Sequence, residues 1–149
     1  MSKSYSKIWV HAVWSTKNRI PLINSKMEEQ LYNFLKEELN KMGCIVRIVN
    51  GMPDHIHCLF GLNPQKSITD IIKQIKGSSS HFVNSNNFIQ EKFIWQRGFG
   101  AFSVSHSAAD DVYRYIRNQK YHHQKRTFEA EYIKFMNLHG FENVNIDNE

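Results

Sequence analysis

Cysteine is scarce, proline is scarce, and no long hydrophobic run exists in this chain of 149 residues. Cys44 and Cys58 are too few for a disulfide framework, and they read as free thiols. No apolar stretch reaches the roughly 20 residues that cross a bilayer, and the polar start from Met1 to Lys7 does not look like a signal peptide. The expectation is a cytoplasmic protein with no membrane partner. Internal repeats and low-complexity linkers are also missing, so one domain spanning 1–149 is the simplest organisation, and a chain of this size can bury a substantial core.

What the chain does have is positive charge and aromatic rings. The net charge is +5, and aromatics make up 13% of residues. A basic surface favours a polyanionic partner, and single-stranded bases stack on aromatic side chains. Core filling is expected to account for most of the Phe and Tyr residues.

The informative stretch runs from Val49 to Phe60 and contains Gly51-Met52-Pro53-Asp54-His55-Ile56-His57-Cys58. Gly51, Pro53 and Asp54 read as a turn. The residues after it read as a strand, whose period of two sends His55 and His57 to one face and Ile56 and Cys58 to the other. Two imidazoles side by side on a strand suit a divalent metal, provided another ligand completes the set. Alone, a His-x-His pair is weak evidence.

The flanking elements follow from periodicity. Tyr5 to Trp14 is expected to be a first strand, with His11 inside it as a structural residue, because spacing gives it no partner. Ser15 to Pro21 reads as a polar loop in which Lys17 and Arg19 suit either a phosphate or solvent. Met27 to Met42 has helical spacing, with Ser25 as N-cap, Glu28 completing a capping box and Gly43 as the stop. Cys44 to Val49 and His55 to Leu62 read as strands. Ser67 caps a helix over Ile68 to Ile75, which Gly77-Ser78-Ser79-Ser80 is expected to end or interrupt, with Lys66, Lys73 and Lys76 toward solvent. That Lys-rich end beside serines suits a phosphate or plain hydration. Phe93 to Ser105 is the fourth strand region, where Gly98 and Gly100 permit close approach. The order is βαββαβ, an α+β ferredoxin-like (RRM-like) antiparallel sheet with both helices on one face.

From Ala108 the chain reads as helical again, with Asp110 and Asp111 in the first turn. The run Tyr113-Arg114-Tyr115-Ile116-Arg117-Asn118-Gln119-Lys120-Tyr121-His122-His123 is strongly basic. On a helix Tyr115, Gln119 and either His122 or His123 share a stripe. Gln119, His122 and His123 are therefore all candidates to complete the His pair, and Tyr115 stands on the same face. A phenol ionises near pKa ~10; beside a metal it can attack a phosphodiester, and the covalent phosphotyrosine conserves the bond for rejoining. Tyr113 lies off the stripe, and Tyr121 faces elsewhere. Phe128 to Leu138 reads as a further helical piece, and Phe141 to Glu149 as a polar tail.

Taken together, these motifs give a close resemblance to a known family. His11-Ala12-Val13-Trp14-Ser15-Thr16-Lys17, Pro53-Asp54-His55-Ile56-His57, the segment Trp95 to Ser105, and Tyr115-Ile116-Arg117-Asn118-Gln119 followed by His122-His123 resemble the single-tyrosine HUH transposases of small insertion sequences, the IS200-like type. The likeness covers nearly the whole chain, with a core of about 5–105 and a tyrosine helix and helical tail of about 108–140. The resemblance implies that His55, His57 and Gln119 ligate Mg²⁺ or Mn²⁺ and that Tyr115 is the nucleophile. It also implies cleavage and rejoining of single-stranded DNA at element ends marked by hairpins. It further implies a homodimer, in which a tyrosine helix is able to complete the partner's His pair. Competing readings are a non-catalytic RNA- or single-stranded-DNA-binding module, an HUH nuclease with a domesticated host role, and a zinc site drawing on the cysteines.

Overall fold

The computed structural model describes residues 3–121 together with Ala130, Ile133, Phe135, Met136 and His139. Its elements are β1 (Trp9–Ser15), α1 (Glu28–Lys41), β2 (Ile45–Met52), β3 (His55–Gly61), α2 (Ile68–Ser85), β4 (Gly100–Val104) and α3 (Ala109–Arg117). Short 3-10 turns precede α1 and α3 at Lys17–Arg19 and His106–Ala108. The four strands form one antiparallel sheet in the order β2-β3-β1-β4, the ferredoxin-like arrangement expected from the element order.

Alternation divides the sheet into two faces. Val10, Ala12 and Trp14 of β1, Ile56, Cys58 and Phe60 of β3, and Val49 of β2 pack with Leu31, Leu35 and Leu39 of α1 and Ile71, Ile72 and Ile75 of α2. This face is the main core. The opposite face carries Leu59 and Val104, which pack with Ala109 and Ile116 of α3. A register shift in β2 between Val46 and Ile48 changes the alternation there, as a bulge does. Val46 and Val49 thus both serve the main core, while Ile48 packs in the smaller cluster beneath α3.

Several local expectations are corrected. Ser25 does not cap α1; Asn24 does the equivalent work, its Oδ1 accepting from the amides of Lys26 and Met27 at 3.0 Å each. Gly43 does end that helix, with φ +78°. Ser67 caps α2 by accepting from the Asp70 amide at 3.1 Å. The Gly77-Ser80 run neither ends nor interrupts α2, which continues to Ser85. The hydroxyls of Ser78, Ser79 and Ser80 bond back to the carbonyls of Ile75, Lys76 and Gly77, a local pairing compatible with helix. Lys76 is not a solvated side chain: its Nζ donates to the carbonyls of Gln96 and Gly98 at 2.7 Å each.

The fourth strand is shorter than expected. The Asn84 side chain clasps both backbone groups of Phe93, and Trp95 donates its indole N–H to Ser79 Oγ at 2.9 Å. These side-chain anchors hold the segment in irregular backbone until Gly100. β1 likewise starts at Trp9 rather than Tyr5, which is 80% exposed.

Candidate active site

The site is built on the sheet face opposite α1 and α2. His55 and His57 alternate with Ile56 and Cys58 along β3, and their ring centroids lie 5.2 Å apart. The turn that delivers them is tied down by the chain leaving β1. Thr16 N donates to the Asp54 carbonyl at 2.9 Å, Ile23 N to the Pro53 carbonyl at 2.9 Å, and Thr16 Oγ1 to Asp54 O at 3.2 Å. The start of β3 is therefore a fixed platform.

Each imidazole has a partner at Nδ1. His55 Nδ1 donates to Asp54 Oδ1 at 2.7 Å. His57 Nδ1 lies 2.9 Å from His11 Nε2. Spacing gives His11 no partner, and the fold supplies one in His57. Its position in β1, opposite Leu59, makes it a diagonal neighbour of His57, and such neighbours are within reach of long side chains. Burial, and secondarily His139, push the His11 imidazole down to about 3, so it is neutral near neutral pH. Asp54, read in the sequence only as a turn residue, is the other member that spacing did not single out. Its place directly before His55 was the available signal.

Helix α3 brings the remaining residues to this face. It ends at Arg117, and Asn118 leaves helical geometry (φ −95°, ψ 18°). Gln119 therefore follows a kink instead of continuing the Tyr115 stripe in one unbroken helix. The kink is held by Asn50, whose Nδ2 donates to the carbonyls of Ile116 and Arg117 at 2.9 and 3.2 Å. Lys120 donates to Asn50 Oδ1 and the Gly51 carbonyl and pairs with Glu28 of α1. Gln119 is fully buried, with Oε1 3.4 Å from His55 Nε2.

Tyr115 is half-buried, with its ring centroid 5.9 Å from that of His57 and 6.4 Å from that of His11. Phe135 stacks on it at 6.1 Å and meets His57 edge-on at 5.7 Å. Tyr113 instead stands against Arg47 and Arg117, and Tyr121 is exposed. His122 and His123 lie outside the described residues, as does most of the expected piece from Phe128 to Leu138.

The donor set can be tested against a metal. A carboxylate only accepts, so the His55 Nδ1–H points at Asp54 and Nε2 is turned toward Gln119. Gln119 Oε1, an acceptor, lies 3.4 Å from that nitrogen, longer than an ordinary N–H···O bond. Gln119 Nε2 is buried without a hydrogen-bond partner. With Nε2 deprotonated, the ring and the amide oxygen would both present lone pairs, an arrangement that fits a cation between them. No group of three or more His, Cys, Asp or Glu side chains able to hold a metal exists among the described residues. The set of two imidazoles and an amide oxygen suits a hard or intermediate divalent ion. The zinc reading through cysteine fails, because Cys44 and Cys58 are buried among the apolar residues of the main core.

A ferredoxin-like sheet that presents a His-x-His pair beneath a tyrosine-bearing helix defines the HUH class of single-tyrosine transposases. The family model described as "Transposase IS200 like" matches residues 4–119, and the chain belongs to that family. It is 28% identical over 115 residues to the ISDra2 transposase TnpA of Deinococcus radiodurans, covering 73% of this chain and 81% of that protein. A crystal structure of a candidate transposase from the same organism aligns with a TM-score of 0.64 and 25% identity, over 80% of this chain and 98% of the other. The REP-associated tyrosine transposase bound to a REP hairpin shares the fold, with a TM-score of 0.61 and 18% identity, over 83% of this chain and 74% of that one. The family generally uses a divalent metal. No helix among the described residues is long and apolar enough to cross a membrane.

Proposed function

We propose that this transposase cleaves and rejoins single-stranded DNA at the ends of an insertion sequence, with Tyr115 as nucleophile and His55, His57 and Gln119 as ligands of Mg²⁺ or Mn²⁺. The observation that carries the reading is the approach of Gln119 Oε1 to 3.4 Å from His55 Nε2, beside a buried, unpartnered Gln119 amide nitrogen.

The chemistry follows from the residues. The Tyr115 phenol oxygen forms a bond to phosphorus as the bond from phosphorus to the 3′-oxygen breaks. The products are a 5′-phosphotyrosine and a free 3′-hydroxyl, with the phenol proton passing to the released oxygen or solvent. Attack by a 3′-hydroxyl on the phosphotyrosine reverses the step and joins strands without an external energy source. The bound ion would supply charge stabilisation on the phosphate oxygens and alignment for in-line attack. Asp54 holds the His55 ring with Nε2 facing inward, and Phe135 packs flat on the Tyr115 ring.

In this reading the substrate carries subterminal hairpins, in keeping with the hairpin held by the REP-associated structural neighbour, and the functional unit is a homodimer. The test is a denaturing gel of protein incubated with single-stranded element-end DNA, with and without Mg²⁺ or Mn²⁺. The expected result is a metal-dependent protein–DNA adduct that is lost in Tyr115→Phe while hairpin binding persists. An adduct retained in Tyr115→Phe would remove Tyr115 as the nucleophile. His57→Ala should abolish cleavage with little loss of DNA affinity, since phosphate contacts dominate binding.

A further inference from the structure

We propose that Glu28 of α1 is a positioning residue for Gln119: it holds Lys120, and through Lys120 it straps the turn that carries Gln119 across the edge of the sheet. The inference rests on the reading of Gln119 as a metal ligand and extends that site to a helix on the other face.

Helices α1 and α3 pack on opposite faces of the sheet, and β2 is its edge strand. Lys120 crosses that edge. Gln119 and Lys120 follow the Asn118 turn as consecutive helical residues, and consecutive residues on a helix point about 100° apart. With Gln119 buried toward His55, the Lys120 side chain leaves sideways over β2. Its Nζ donates to Asn50 Oδ1 at 3.2 Å and to the Gly51 carbonyl at 3.3 Å, and it pairs with the Glu28 carboxylate beyond them. The ammonium also stands 5.8 Å from the Tyr32 ring centroid. Glu28 and Tyr32 are one turn apart on α1, so a single stripe of that helix receives Lys120. Glu28, expected to complete a capping box, has this clasp instead.

An isolated exposed Lys–Glu pair contributes little, but this pair belongs to a network that ends at the site. An ammonium has three N–H donors, and the carboxylate, the Asn50 amide oxygen and the Gly51 carbonyl all converge on it. The Glu28 side chain is only 23% exposed. Asn50 is engaged at both ends, because its Nδ2 donates to the Ile116 and Arg117 carbonyls. The connection therefore runs from Glu28 through Lys120 and Asn50 to the end of α3. A ligating group works only when held within about 0.5 Å of its productive position. The Gln119 amide nitrogen has no hydrogen-bond partner among the described residues, so the backbone that Lys120 anchors sets where this side chain sits.

The test is a double-mutant cycle in the full chain with Glu28→Gln, Lys120→Met and both together, with melting curves to establish folding. Mn²⁺ alone is titrated by calorimetry. Without metal, exchange is followed at the amides of Asn118 and Tyr121, which donate to the Arg114 and Asn118 carbonyls. Glu28→Gln keeps the shape of the side chain and removes its charge. It should bind Mn²⁺ about 2–5-fold more weakly and speed exchange at both amides. Lys120→Met should be weaker still, and the double variant should match it, since Glu28 acts only through Lys120. Single effects that add, or weaker Mn²⁺ binding with unchanged exchange, would reduce Glu28 to a distant negative charge and overturn the inference. So would wild-type affinity in Glu28→Gln. If Lys120→Met does not fold, Lys120→Gln takes its place in the cycle. A wild-type chain that binds no Mn²⁺ would remove the metal-site reading; exchange then decides the clasp alone, and unchanged exchange in Glu28→Gln would overturn it.

Discussion

A Cβ placed on Gly51 would lie 2.2 Å from the carbonyl oxygen of His55. The two residues sit on opposite sides of the Pro53-Asp54 turn, so glycine here is a condition for the tight hairpin that delivers the His pair. Gly51→Ala must push the backbone of His55 aside, because the obstacle is main chain. The expected cost is about 1–3 kcal/mol, typical of overpacking, with a lowered Tm and weaker Mn²⁺ binding in the same variant. A Gly51→Ala protein that melts and binds as wild type does would show that the hairpin accommodates the methyl group.

Asn50 is the mirror of that constraint on the α3 side. Its amide donates to the Ile116 and Arg117 carbonyls just ahead of Gln119. Asn50→Ala should cost about 1 kcal/mol per lost bond and speed amide exchange at the end of α3. Asn50→Asp retains an acceptor for Lys120 but cannot donate to the carbonyls. It should therefore resemble Asn50→Ala in exchange and in adduct yield. Wild-type behaviour in Asn50→Asp would mean that Lys120 alone secures the kink.

Much of this was legible in the sequence, because strand alternation and helical spacing are local signals. The βαββαβ order, the shared face of His55 and His57, and the Ser67 cap all come from residues close in sequence. What escaped depends on side chains far apart in sequence. His11 meets His57 only because β1 lies beside β3, and no spacing encodes that neighbour. Asp54 looked like any turn residue until the ring beside it had an orientation. The Gly77-Ser80 run reads as a breaker by propensity, yet tertiary packing overrides it, with Ser79 buried against Trp95. The kink at Asn118 is likewise set from across the fold by Asn50.

Cys58 tests the assignment of the helix-covered face. Burial raises its thiol pKa above the ordinary value of 9.0, so the folded chain keeps the proton where the unfolded chain releases it. That contribution to stability is fully present below about pH 9 and is lost as pH rises beyond it. Cys44 is also buried. Neither thiol of the native protein should react with a disulfide reagent at pH 8, and both should react after denaturation. Rapid native labelling of Cys58 would mean that the packing of α1 and α2 on the sheet opens readily.

Gly77 and Ser79 sit two residues apart in α2 and should move stability in opposite directions. A Cβ on Gly77 meets no atom within 4 Å, and its backbone is already helical. Gly77→Ala should therefore stabilise by about 0.5–1 kcal/mol, by removing the entropy glycine gives the unfolded chain. At this chain length each kcal/mol shifts Tm by roughly 2–4 °C. Ser79→Ala should lower Tm instead: it also favours helix, but it strands the buried indole N–H of Trp95 at a cost of about 1–3 kcal/mol. Thermal melts of the two single variants decide the matter, and a rise in both would mean that Trp95 finds another acceptor once Ser79 Oγ is gone.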